Sequence, residues 1–218
     1  HVARSAPDGY TILVTGAGAA LLHLVSKNLG FDNTKDIVPV SLLTDSYSLI
    51  VAPAQVGAKT WNEFMDIARK NPGKLNYASL GVSSVLLAME GLKSAANNLP
   101  ISEIPYKGSA DYFAAALRND VQLIISTLSP MKANVDSGKF VPLLAIGDRR
   151  HPAHPNVPST GELGYGSKIR GFAWAGVFVP AGTPANVIDT ISREVAFYAQ
   201  NSEARARAQV NYNILVGS

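Results

Sequence analysis

Short runs of β-forming and aliphatic residues alternate with helical periodicities along this 218-residue chain. That alternation constrains the fold more than any other feature. Residues 11–15, 37–43, 48–52, 75–79, 101–105, 121–125 and 141–146 have the apolar, β-branched character of strands. Between them lie helical stripes. Leu21, Leu22, Val25 and Leu29 share a face that Gly30 ends, and Trp61, Phe64, Met65 and Ala68 follow the capping box Thr60-Trp-Asn-Glu63. A Gly/Ser turn at Gly81 to Ser84 opens a helix to about Ala95. Ser109 caps one carrying Tyr112, Phe113, Ala116 and Leu117, and Ser129-Pro130 opens another that Gly138 closes. In the last third, a buried strand ends at Pro180 and Gly182. Thr183 is then an N-cap with Pro184 at the first helical position. Val187, Ile188, Ile191, Val195 and Tyr198 form the next face, and Ser202 caps a final helix through Val210. Strands alternating with helices predict an α/β fold with largely parallel sheets.

Hydrophobic residues make up 47% of the chain and charged residues 16%, a balance that suits a packed core and opposes disorder. No apolar run approaches the ~20 residues that span a bilayer. Cysteine is absent, which excludes disulfides, thiolate metal sites and a thiol nucleophile, and is compatible with an oxidising compartment. The net charge of +3 is dispersed, with Arg149-Arg150 the only adjacent basic pair, so no nucleic-acid partner is expected.

Enzyme signatures are largely missing. Gly16-Ala-Gly18-Ala-Ala-Leu21 begins like a dinucleotide fingerprint, but leucine stands at its third glycine position. There is no phosphate-binding Gly-Lys-Ser/Thr loop and no nucleophile elbow. His151 and His154 sit among prolines in what is expected to be a surface loop, and His23 in an apolar helix. Neither arrangement enforces metal-ligand spacing, and no cofactor, metal or catalytic residue is assigned.

Three strand-to-helix loops of small residues stand out: 16–20, 79–84 and 126–129. Helix N-termini leave amides unpaired and carry partial positive charge, which suits an anion, and glycine and serine let a carboxylate approach. In α/β sheets such loops gather at the carboxyl ends of strands. The candidate ligand-binding residues are Gly16, Ala17, Ser79, Gly81, Ser83, Ser84, Tyr106, Ser126 and Thr127, with Tyr106 equally readable as a packing residue.

The chain resembles the solute-binding (Bug) receptors of the tripartite tricarboxylate transporters. The landmarks are Ala6-Pro-Asp-Gly-Tyr-Thr11, Phe31-Asp-x-x-Lys-Asp-x-x-Pro-Val40, Pro72-Gly-Lys-Leu-x-Tyr-Ala-Ser79, Ile104-Pro-Tyr-Lys-Gly108, Ser137-Gly-Lys139, Val157-Pro-Ser-Thr-x-Glu162 and Trp174-Ala-Gly-Val-Phe-Val-Pro-Ala-Gly-Thr-Pro184. The resemblance implies a periplasmic, monomeric, two-domain binding protein of type II topology. It would take a small mono- or dicarboxylate and deliver it to membrane transporter subunits. Residues 1–50 and 173–218 would form one domain and 51–172 the other, with 48–53 and 171–180 as crossover strands and Trp174 either a core residue or one at a hinge or cleft edge. Two departures matter. Leu86 stands where the family has histidine, and Ser126 where relatives often have aspartate, which argues against an amino-acid ligand. Relative to the family pattern the chain starts after a first strand and stops before the last helices, so an exposed sheet edge and incomplete binding are expected. Two alternatives remain at this stage: a hydrolase or transferase using the serines of the 79–84 turn, and the effector-binding domain of a transcription regulator.

Overall fold

A computed structural model describes residues 1–20, 30–81, 83–166, 169 and 173–218, without the side chains of 19 and 20. The expected apolar helix of residues 21–29, with His23, and the start of the second crossover strand lie outside the described residues. The chain divides into two compact units, residues 1–46 with 173–218, and residues 47–172.

The first unit is built on four strands: β1 (Leu13–Gly16), β2 (Ile37–Ser46), β8 (Trp174–Pro180) and β9 (Asn213–Leu215), in the order β1-β8-β2-β9. Their ladders are antiparallel. β2 continues through Pro39 because the ladder shifts register between Pro39 and Ser41, a bulge that spares the missing amide. A short helical turn, α1 (Ala17–Ala20), follows β1 directly. After β8, Thr183 Oγ1 donates to the Pro180 carbonyl at 2.8 Å, and α6 (Ala185–Gln200) starts with Pro184 as its N-cap. Thr183 therefore closes the turn instead of capping the helix. In α7 (Ser202–Val210) the cap is Asn201, whose side chain accepts from Ala204 N at 2.9 Å, so the expected Ser202 is displaced by one position.

The second unit contains β3 (Ser48–Pro53), α2 (Trp61–Lys70), β4 (Leu75–Ser79), α3 (Ser84–Ala95), β5 (Ile101–Pro105) and α4 (Ser109–Leu117). These are followed by β6 (Ile124–Thr127), a 3-10 turn (Ser129–Met131), α5 (Lys132–Asp136) and β7 (Phe140–Ile146). β4 and β5 pair in parallel, and a parallel bridge from Tyr77 to Leu123 sets β4 beside the chain entering β6. β3 lies between β6 and β7, antiparallel to both. The expectation of largely parallel sheets is thus corrected: among the described residues the one parallel ladder is the small β4–β5 sheet. In the second unit β3, which follows β2 after the single residue Tyr47, runs against the strands on either side of it, and in the first unit β8 runs against both β1 and β2 and β9 against β2.

β3 is buried at every residue, as a strand covered on both faces must be. Ile50 and Ala52 belong to a core with Trp61, Phe64, Tyr77, Val85, Met89 and Leu92, on the α2 and α3 side of the sheet. α4 packs on β3 and β6, and Gly108 is its cap where Ser109 was expected. The α2 cap forms as a box shifted by one residue: Glu63 N donates to Thr60 Oγ1 at 3.2 Å as expected, but the Glu63 carboxylate takes the Lys59 amide at 2.7 Å instead of the Thr60 amide.

Several of the sequence landmarks prove to be backbone devices. Gly9 has φ +86° and a Cβ there would sit 2.4 Å from Val187 Cγ1, while Asp8 accepts the Tyr10 amide at 3.0 Å. Ser159 and Glu162 form a second reciprocal box, Glu162 N to Ser159 Oγ at 3.1 Å and Ser159 N to Glu162 Oε2 at 2.8 Å. Gly161 between them lies against Asp148, whose Cα would be 2.8 Å from an added Cβ.

His151 is a correction. It is fully buried, not on a surface loop, with its ring edge-on to Tyr47 at 5.5 Å and 5.6 Å from the ring of His154. Its Nδ1 accepts the Ala153 amide at 3.1 Å. Burial, then the neighbouring His154, lowers its pKa to about 4.

Candidate functional site

Four strands of the second unit, β4 to β7, run the same way, so Ser79, Pro105, Thr127 and Ile146 close one edge of the sheet region. Register brings the first residue of β3 to the same edge, Ser48 facing Thr127 on one side and Ile146 on the other. Most of the candidate residues predicted for this unit gather here.

Side-chain alternation sorts them by face. Tyr77 and Ile125 are in the core against α2 and α3, so Ser79 and Thr127, two residues further along, share that face. Ser126 is on the other face, where its hydroxyl is hydrogen-bonded to Tyr112 of α4. Tyr112 is itself buried, which raises its pKa.

On the α3 face, Ser79 is fully buried and its Oγ accepts the Gly81 amide at 2.9 Å while donating to the Glu103 carboxylate. This fixes the turn into the helix. Gly81 has φ +69°, a left-handed conformation that glycine adopts without strain. Ser83 is the N-cap of α3: its Oγ donates to the Gly81 carbonyl at 3.1 Å and takes the Leu86 amide at a long 3.5 Å. Ser84 is the first helical residue. The first turn of a 12-residue helix is therefore presented at the strand ends, with its amides and its fraction of positive charge. Tyr106 extends the pairing, its amide donating to the Ser79 carbonyl at 2.9 Å. Its side chain is half-buried, and burial followed by the charge of Asp120 raises its pKa.

Gly16 and Ala17 belong to the first unit. Gly16 ends β1 opposite Ala175, and a Cβ there would come within 2.7 Å of the Trp174 carbonyl. Ala17, buried, starts α1. Trp174 is half-buried in β8 with Phe178 at 6.4 Å.

Two residues of this edge were not singled out in the sequence. Glu103 lies on β5, and its tie to Ser79 required knowing that β4 and β5 are neighbours. Ser48 is 1% exposed, and its Oγ has no hydrogen-bond partner among the described residues. A hydroxyl heading an otherwise apolar buried strand was its available signal. Among the described residues no cluster of His, Asp or Glu could hold a metal ion. Ser79 bonds to Glu103 and Ser83 to the Gly81 carbonyl, and His151 Nδ1 is occupied by the Ala153 amide.

The family model of the tripartite tricarboxylate transporter family receptor matches residues 1–207. The chain belongs to this family. Its members are solute-binding receptors, not enzymes. A UPF0065 protein of Bordetella pertussis is 34% identical over 86% of this chain and 58% of its own length. The chain thus spans a little over half of that relative. The periplasmic binding protein BugD superposes with a TM-score of 0.80 at 26% identity, covering 99% of this chain and 72% of BugD. MatC from Rhodopseudomonas palustris, solved with bound malate, gives a TM-score of 0.76 at 26% identity over 98% of this chain and 73% of MatC.

Proposed function

We propose that this chain is the ligand-binding part of an extracytoplasmic receptor that captures a small organic acid in the periplasm. It would deliver that acid to the membrane subunits of a tripartite tricarboxylate-type transporter, acting as a monomer. The observation that carries the reading is the edge just described, where the N-terminus of α3 opens at the ends of parallel-running strands. The donors there are neutral: the first-turn amides of α3, held in place by the Ser83 cap, and the hydroxyls of Ser84 and Thr127. Neutral donors at a helix N-terminus hold a carboxylate without a countercharge. Glu103 is engaged by Ser79 in the same region. The bound malate of MatC supports a carboxylate as ligand.

The two units would be the two lobes of a type II binding protein, divided near residues 50 and 172, with β3 and β8 as the crossovers and Trp174 close to the hinge. Within the first unit Gly16 and Ala17 are the candidate ligand contacts; within the second they are Gly81, Ser83, Ser84, Tyr106 and Thr127, while Ser79 holds the turn through Glu103 and Ser126 holds Tyr112 on the other face. No helix among the described residues is long and apolar enough to cross a membrane. Titration calorimetry on the receptor at the full length of its relatives, with a panel of mono-, di- and tricarboxylates, tests the reading. Saturable binding of one class is expected, abolished or weakened by Ser83→Ala. Heat of dilution alone for every acid at millimolar concentration would refute it.

A further inference from the structure

Resting on that reading, we infer that Ser48 is a specificity-determining residue of the same edge, its hydroxyl holding the end of the acid remote from α3. A buried hydroxyl without a partner costs on the order of 1–3 kcal/mol, and Ser48 Oγ is such a group among the described residues. The rest of β3 is apolar and buried, so the serine serves no packing need that alanine or valine would not meet better.

Its position says what it would hold. Register places Ser48 opposite Thr127, and residues directly opposite in an antiparallel pair have Cβ atoms about 4.5–5.5 Å apart on one face. That face is the one on which Ile50 and Ile125 pack against α2 and α3. Two hydroxyls therefore stand side by side at the strand ends, and Ile146 flanks them with an apolar surface. α3 follows β4, which neighbours the chain entering β6, and β6 neighbours β3. Two strand spacings separate the helix N-terminus from Ser48, roughly 10 Å at 4.8 Å each. A monocarboxylate held by α3 leaves the Ser48 hydroxyl without a partner. A dicarboxylate of about four to six carbons reaches both, one carboxylate on the first-turn amides and the other on Ser48 and Thr127. Hydrogen bonds to a charged group are the stronger kind, so the distal contact discriminates between the two ligand classes.

The test compares wild type, Ser48→Ala, Ser48→Thr and Ser83→Ala by calorimetry with butyrate, succinate, malate and adipate, together with ligand-free melting. For Ser48→Ala, about a tenfold or greater loss of dicarboxylate affinity is expected. Butyrate affinity should change by less than about twofold, and the ligand-free melting temperature should be unchanged or raised, since removing an unpartnered buried hydroxyl relieves a desolvation cost. Ser48→Thr should keep dicarboxylate binding. Unchanged dicarboxylate affinity in Ser48→Ala alongside a loss in Ser83→Ala overturns the role of Ser48 and leaves the receptor reading intact. A lowered melting temperature with equal loss for both ligand classes also overturns it, in favour of a structural hydroxyl. Failure of the wild type to bind any of the acids overturns the receptor reading and this inference with it.

Discussion

Acidification from pH 7 to pH 4.5 should destabilise the second unit through His151. The imidazole is buried, faces the ring of Tyr47, and uses Nδ1 to accept the Ala153 amide, so protonation replaces an acceptor with a donor and places a charge beside His154. Its folded pKa of about 4 lies below the ordinary value of 6.5. The unfolded chain therefore binds the proton first, and stability falls as pH drops from about 6.5 to about 4. Above that window the contribution is fully present; below it both states are protonated and nothing further is lost. At 1.36 kcal/mol per unit the whole window is worth about 3 kcal/mol, a large share of the 5–15 kcal/mol typical of a domain. His154, also lowered by burial, acts in the same direction. Asp32, held down to about 2 by its hydrogen bonds to Thr34, loses its contribution only below its ordinary value of 3.8, while Glu90 and Glu162, both lowered from 4.5, begin to lose theirs at the acid end of the series, equally in wild type and variant. The assay is urea unfolding at pH 7.0, 6.0, 5.0 and 4.5 for wild type and His151→Asn, whose amide oxygen can still take the Ala153 amide. Wild type should lose most of that free energy across the series, and the variant should lose much less. Equal slopes for the two proteins would refute the assignment of the acid sensitivity to this ring.

Three further outcomes follow from packing and capping. Gly161→Ala should cost about 1–3 kcal/mol by overpacking, because its new Cβ would meet the backbone of Asp148 at 2.8 Å; denaturant midpoints measure it. Thr60→Ala should cost about 1 kcal/mol by removing the α2 cap, with no change in ligand affinity by calorimetry. Gly16→Ala should destabilise the first unit, since a Cβ 2.7 Å from the Trp174 carbonyl forces β1 and β8 apart; loss of amide exchange protection at Val177 and Thr15 would report it.

The order of elements was legible because apolar periodicity and turn residues are local properties. The Thr60 cap of α2 and a helix following the Gly81 to Ser84 turn were found on that basis. Where two cap-capable residues adjoin, the sequence misplaced the boundary by one: Asn201 outcompetes Ser202, and Gly108 precedes Ser109, each settled by local backbone geometry. Strand direction was not legible, since the residues of β3 are equally suited to parallel or antiparallel pairing. The burial of His151 depends on Tyr47, over a hundred residues away along the chain, and flanking prolines pointed toward solvent instead. The loops of the candidate site were visible as small-residue turns. Their division between faces was not, because Ser126 and Thr127 differ only in which side of a strand they occupy.

The reversed strand β3 also governs the timing of folding. Leu49, Ile50, Val51 and Ala52 are fully buried, yet their partners are Ile124 to Ser126 on one side and Val141 to Ala145 on the other. A chain emerging from its N-terminus carries this apolar segment unpaired until most of the second unit has been made, and long-range pairing of this kind is slow and exposed to aggregation. The step that inserts β3 between β6 and β7 is therefore where substitutions that leave the native state untouched should still lower the yield of folded protein.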